Sequence, residues 1–154
     1  YPLLQVSFYN LIPSCEVCNS RIKNSTEFNL HDHFHPYQLA EESITFDYHP
    51  TGSKNEYRIF FTQASDQKIK KTSEKMYIDE MYNAHLPELK DLLLTEQAYS
   101  KDYLKSLRTA FPGANLKNHE IYRLAFGAEL HEQDFHKQPM SKFKHDILKK
   151  IGVI

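Results

Sequence analysis

Alternation of hydrophobic and polar positions predicts strands in the first half of the chain. Residues 42–48 and 56–63 place aromatic and branched side chains at every second position, the period of a half-buried strand. Residues 49–53 between them have the composition of a turn, so we predict a β-hairpin. Residues 6–12 are rich in β-branched and aromatic side chains and predict an earlier strand, which ends at Pro13.

Helical spacing of apolar residues dominates the second half. Residues 78–93 follow this pattern, and Pro87 is expected to kink that helix or to start a second one. Further helices are predicted over residues 100–110, 118–126 and 141–151, from their capping residues and glycines. The residues expected to be buried in the helix over 118–126 are Ile121, Tyr122, Leu124, Ala125 and Phe126. A short helix is expected from residue 19 to about residue 25, followed by a polar, His-rich loop over 26–36.

These elements predict the α+β fold class. We place the boundary near residue 65, between a small α/β part over residues 1–65 and a mainly helical region over residues 66–154. The chain has 154 residues, 40% of them hydrophobic, with ten Tyr and ten Phe, which is enough for a buried core.

Charge and hydropathy narrow the function classes. The net charge is −1, so binding to DNA would have to depend on a local basic patch. Candidates are Arg21 and Lys23, and a run made of Lys68, Lys70, Lys71 and Lys75 that is more typical of a solvated helix start. No apolar run approaches the roughly 20 residues that span a membrane, so we expect no membrane partner. The only two cysteines lie close together, which indicates a reducing cytoplasmic location rather than a disulfide framework.

The cysteines form the most informative motif, Cys15-Glu16-Val17-Cys18-Asn19. Two cysteines three residues apart are half of a zinc site, because a tight turn brings both sulfurs to one tetrahedral ion. The side-chain oxygen of Asn19 is suited to a hard divalent cation. The competing interpretations are buried free thiols for the cysteines and a helix N-cap for Asn19.

Together with Asn10, Leu11, Pro13 and Lys23, this motif resembles the second half of an HNH endonuclease motif, the ββα-metal nuclease fold. The resemblance implies a remnant of a ββα-metal, treble-clef-like half-domain with a β-hairpin, followed by the helical region. It matches Asn10 to the middle catalytic Asn, Asn19 to the final metal ligand, and Cys15 and Cys18 to one of two zinc-binding pairs. Asn10 is also explained as a polar strand-end residue.

The implied activity is metal-dependent hydrolysis of DNA, in a restriction or phage-defence system. The implied cofactors are a catalytic Mg²⁺ or Mn²⁺ and a structural Zn²⁺, with Arg21 and Lys23 near the flanking phosphates. The implied partners are DNA and, for the helical region, DNA or a protein such as an ATPase subunit. Two other segments, His35-Pro36-Tyr37 and residues 138–148, resemble parts of one bacterial HNH subfamily.

The first half of the motif, an Asp-His pair in which His is the general base, has no counterpart before Asn10. We therefore expect this chain to be a fragment of a longer nuclease and to be inactive alone. The alternative from a different class is a zinc-knuckle module that binds a partner or nucleic acid without catalysis.

His31 and His35 offer a different set of zinc ligands. Their spacing from Cys15 and Cys18 satisfies that of a Cys2His2 finger. Pro36 disfavours helical backbone at His35, which counts against a finger. One of the two histidines would instead complete the zinc shell, unless the cluster is simply an exposed polar loop.

Overall fold

The computed structural model describes residues 14–35, 44–52, 55–63, 66–99, 101–110 and 116–154, so the strand predicted over residues 6–12 lies outside the described residues. The α+β class is confirmed by a two-stranded antiparallel hairpin combined with helices. The strands are β1 (Ile44–Pro50) and β2 (Tyr57–Gln63). The helices are the π-helical knuckle helix (Val17–Lys23), α1 (Gln67–Met76), α2 (Ile78–Asn83), α3 (Leu86–Ala98), α4 (Lys101–Ala110), α5 (Asn118–Phe126), a 3₁₀ segment (Glu132–Lys137) and α6 (Ser141–Lys150).

The chain forms two compact units whose limits differ from the predicted boundary near residue 65. Among the described residues, one unit combines residues 14–35 with residue 63 and residues 66–80, and the other combines residues 44–52 and 55–62 with residues 81–99, 101–110 and 116–154. The hairpin therefore belongs with the C-terminal helices, because its apolar face packs on α6.

In the first unit, α1 begins where Asp66 accepts a hydrogen bond from the backbone N–H of Lys68 at 2.8 Å, a standard helix N-cap. It ends at Tyr77, whose φ of 50° lies in the left-handed region. The buried residues of α1 are Ile69, Thr72 and Ser73, of which only Ile69 is apolar. Lysines of α1 also form polar contacts with the loop over residues 24–35.

The core of the second unit is an aromatic cluster between the hairpin and the helices. Phe46 on β1 lies with its ring centroid 4.3 Å from Tyr82 and 5.7 Å from Phe143 of α6. Phe61 on β2 completes the cluster at 6.1 Å from Phe46. Burying several aromatic rings against each other is the main source of stability for so small a sheet.

A buried carboxylate joins α6 to β1 beneath this cluster. Asp146 accepts hydrogen bonds from the backbone N–H of Phe46 and from Lys142 Nζ, each at 2.9 Å. At the end of α6, Lys150 pairs with Asp47 and donates to the carbonyl of Tyr48. The edge of β2 is closed by Asn83, whose side-chain amide bonds both the N–H and the C=O of Ile59, at 2.9 and 2.8 Å.

The knuckle helix, α3 and α5 differ in how closely they follow the sequence predictions. Pro87 lies in the first turn of a new helix, α3, which follows a turn at residues 84–85. The start of a second helix was one of the two predicted outcomes. The knuckle helix begins two residues earlier than predicted. Of the residues predicted to be buried in α5, Ile121 and Phe126 are buried, and Tyr122 and Ala125 are half-buried. The prediction for Leu124 is wrong, because this residue is 67% exposed. α5 ends at Gly127, with φ 58°, where the glycine was expected to stop it.

Candidate functional site

The two cysteines lie at the start of the knuckle helix with their sulfur atoms 3.1 Å apart. The backbone N–H of Cys18 donates to Cys15 Sγ at 3.3 Å. The carbonyl of Cys15 accepts from the N–H of Asn19 at 3.0 Å, so the helix continues directly from the knuckle. Cys15 is exposed and Cys18 half-buried, and neither is in a disulfide. The tight turn therefore brings the two sulfur atoms next to each other, as the spacing of the cysteines predicts.

The pKa values of the two thiols are shifted in opposite directions by their surroundings. The N–H of Cys18 lowers the pKa of the Cys15 thiol, and the contact with the Cys18 sulfur lowers that pKa further. The same contact, together with partial burial, raises the pKa of Cys18. Cys15 therefore loses its proton first. A thiolate is the form that binds soft metal ions and that attacks disulfides.

Asn19 lies inside the knuckle helix and is exposed. Its backbone N–H bonds to Cys15 and its carbonyl accepts from Asn24 at 3.0 Å. Glu16 occupies the N-cap position instead, so the N-cap explanation of Asn19 is wrong. The next turn carries Arg21 and Lys23, both exposed. One short helix thus presents an amide and two cations to solvent directly after the thiols.

The loop after this helix has a buried histidine, but not one of the two predicted ligands. His33 is 7% exposed and packs edge-on against Phe28, with ring centroids 4.8 Å apart. His31 is exposed, with Nδ1 3.5 Å from a carboxylate oxygen of Asp32, and His35 is half-buried. Within the described residues, no group of three or more His, Cys, Asp or Glu side chains is placed to hold a metal ion. The structure therefore brings Cys15 and Cys18 together without His31 or His35.

Three of the four lysines in the candidate basic run form hydrogen bonds within the first unit. Lys68 Nζ donates to the carbonyl of Leu30 at 2.6 Å, and Lys71 Nζ lies 2.7 Å from Asp32. Lys75 donates to the carbonyl of Glu27 at 2.9 Å. These lysines fasten the loop over residues 24–35 to α1, and Thr72 accepts the N–H of Phe34 at 3.3 Å between them.

The sequence pattern did not predict these contacts between α1 and the loop over residues 24–35. Positions 68, 71, 72 and 75 share one face of α1, since they are three or four residues apart. That spacing is visible in the sequence, but the carbonyls that accept from the lysines are not. Lys70, on the opposite side of the helix, is exposed. Asn10, predicted to be catalytic, lies outside the described residues.

Comparison of the chain with protein-family models, with curated proteins and with solved structures found no match. Among the described residues, no helix has the length and apolar character needed to cross a membrane.

Proposed function

We propose that this chain is part of a metal-dependent DNA endonuclease of the HNH type. The observation that carries the proposal is the knuckle. Two adjacent thiols are linked by a backbone N–H to sulfur bond, and the exposed Asn19 follows on the helix that starts there. That order of thiols, helix and amide is the one the resemblance implies for the structural zinc and the catalytic metal.

The donor set fits half of a structural zinc site. Cys15 and Cys18 would supply two thiolates of the four ligands that Zn²⁺ takes, and zinc when bound would cross-link this turn to the segment that provides the other two. His31 and His35 are not joined to the thiols in the described residues. We therefore assign the remaining ligands to neither histidine.

A cobalt titration tests this assignment. Co²⁺ replaces Zn²⁺ and gives a thiolate charge-transfer absorption. We expect this band from the reduced chain, and expect Cys15→Ser or Cys18→Ser to remove about half of its intensity or more. His31→Ala and His35→Ala serve as matched controls and should leave it unchanged. A band that requires both histidines would instead establish the Cys2His2 site.

The ligand set for the catalytic metal is less complete than the one for zinc. Asn19 would offer one oxygen ligand, and a hard cation needs several. The general base and the acidic ligand of the family have no counterpart before Asn10 in this sequence. We therefore expect residues 1–154 alone to leave plasmid DNA intact in Mg²⁺ or Mn²⁺, and vigorous nicking by the purified chain would contradict the proposal as stated.

For DNA contact, the proposal assigns Arg21 and Lys23 to phosphate groups. They are exposed beside Asn19, whereas Lys68, Lys71 and Lys75 are bound to the loop over residues 24–35. Arg21→Ala and Lys23→Ala should each weaken DNA binding by the full-length gene product and reduce its salt dependence. Lys70→Ala, an exposed lysine on α1, is the control and should have a smaller effect.

A second candidate function is a zinc-knuckle module that binds a partner, protein or nucleic acid, without catalysis. The net charge of −1 and the internal use of three α1 lysines favour it, because the chain has no excess of positive charge to attract DNA and Lys68, Lys71 and Lys75 already have partners in the loop. Cleavage of plasmid DNA by the full-length gene product, or its failure, separates the two functions.

A further inference from the structure

The two sulfur atoms are closer than a zinc ion would hold them. Two thiolates at about 2.3 Å from a tetrahedral zinc are roughly 3.8 Å apart. A disulfide bond is about 2 Å long. The observed 3.1 Å lies between these values, and Cys15 is open to solvent. The pair therefore needs only a displacement of about 1 Å to form a disulfide bond.

We propose that Cys15 and Cys18 are a redox-responsive dithiol, which closes to an internal disulfide by exchange with a small disulfide of the oxidised-glutathione class and opens again with the corresponding thiol. Closure removes both sulfurs from metal binding. The proposal goes beyond the nuclease function and does not depend on it. It rests on the proximity of the two sulfurs and on the exposure of Cys15.

The exchange takes two steps. The sulfur of Cys15, the more exposed of the two, attacks one sulfur of the small disulfide, forms a mixed disulfide and expels one small thiolate. The sulfur of Cys18 then attacks the Cys15 sulfur of that mixed disulfide and expels the second small thiolate. The two cysteine protons go to the two departing thiolates. The cysteine pair loses two electrons, and the small disulfide gains them.

The knuckle geometry favours the second step over any competing reaction. Cys18 is half-buried, so a second glutathione reaches its sulfur less easily than the neighbouring Cys15 sulfur does. The Cys15 sulfur is already in contact with it, which gives the internal reaction a high effective concentration. The mixed disulfide should therefore be short-lived in the wild-type chain.

Intact-mass spectrometry of the reduced chain, incubated in oxidised glutathione and then alkylated, tests the proposal. We expect the wild type to lose two hydrogens and both alkylatable thiols, with little glutathione adduct. Cys18→Ser should accumulate about tenfold more adduct on Cys15, because the resolving thiol is gone. Cys15→Ser should form its adduct more slowly than Cys18→Ser does.

Two adducts on the wild-type chain, disulfide-linked dimers as the main product, or two thiols that persist in oxidised glutathione would each overturn the proposal. Co²⁺ then tests the link to metal binding: the oxidised chain should lack the thiolate band that the reduced chain gives, and a retained band would overturn that link. A chain that forms the disulfide but belongs to a protein without nuclease activity would refute only the function proposed above.

Discussion

At the scale of single residues, the buried Asp146 and the half-buried Asn83 each bond to the backbone of a strand in the second unit. Asp146 is 6% exposed and lies among the apolar positions of α6 that contact β1. Burial alone would raise the pKa of its carboxyl group. The His145 ring, Lys142 and the N–H of Phe46 outweigh burial and lower that pKa overall. Asp146 thus stays ionised in the folded chain because it is bonded to both a cation and the backbone.

Replacing Asp146 by Ala should lower the free energy of unfolding by about 3 kcal/mol, since it leaves the N–H of Phe46 and the ammonium of Lys142 without their shared acceptor. Urea denaturation followed by circular dichroism measures this. Asp91→Ala, an exposed carboxylate on α3, is the control and should change stability by no more than about 0.5 kcal/mol. Equal effects of the two substitutions would show that the Asp146 contacts contribute nothing.

The same residue predicts a pH dependence. Because the folded pKa is lowered, the stabilisation is complete above the unfolded value of about 3.9 and is lost as the pH falls through the folded value. The wild type should therefore lose stability more steeply than Asp146→Asn as the pH falls below about 4. Parallel stability profiles for the two proteins would contradict this assignment.

Asn83 gives a second residue-scale prediction. Its amide bonds the N–H and C=O of Ile59 as a neighbouring strand would. Asn83→Ala should cost about 2 kcal/mol of unfolding free energy. Asn83→Asp should cost at least as much, because an oxygen then faces the Ile59 carbonyl. Gln97→Ala on the exposed side of α3 is the control, and a mild effect at Asn83 equal to that at Gln97 would refute the bridging role.

At the scale of elements, the loop over residues 24–35 depends on α1. The hydrogen bond from Lys71, helped by Asn29, holds the pKa of Asp32 at about 2. Lys71→Met should raise this pKa towards the ordinary value of about 3.9. It should also speed hydrogen exchange at the amides of His33 and Phe34, since the loop loses one of its attachments.

NMR titration of the Asp32 carboxyl carbon measures the first effect, and exchange rates measure the second. Lys70→Met is the matched control, because Lys70 is adjacent in sequence but lies on the opposite side of α1. An Asp32 pKa that is the same in both variants would show that the ion pair does not hold the loop.

The elements also show what a sequence can and cannot predict. The hairpin and the ends of α5 and α6 follow local rules, namely alternation, helical spacing and a glycine at the stop. Leu124 was placed wrongly because helical spacing allows more than one apolar face, and packing against neighbours selects the buried one. The roles of Asp146 and Asn83 were not predicted, since a polar side chain that bonds a distant backbone is recognisable only once that partner is known.

Some features of the candidate site could likewise be predicted from the sequence, and others could not. The meeting of the Cys15 and Cys18 sulfurs could be predicted because one turn decides it. The position of His31 and His35 could not, because it depends on how the whole loop lies on α1. The role of the α1 lysines was also not predicted, since their acceptors, two backbone carbonyls and the Asp32 carboxylate, lie from 38 to 48 residues away in sequence.

At the scale of the whole molecule, the two units carry different features. The first carries the thiols, Asn19, Arg21 and Lys23, together with the loop that is bonded to α1. The second carries the aromatic core, the buried Asp146 and the half-buried Asn83. Variants of the second unit should therefore change stability first, and variants of the knuckle helix should change metal or DNA binding at unchanged stability.

The most direct test of the central proposal is cleavage of supercoiled plasmid DNA by the full-length product of the gene, with Mg²⁺ or Mn²⁺ supplied. We predict nicking that requires the metal ion, that falls by about a hundredfold or more in Asn19→Ala, and that is retained in the neighbouring control Ser20→Ala. A full-length product that binds zinc through Cys15 and Cys18 but never cleaves DNA would contradict the nuclease proposal and favour the binding module.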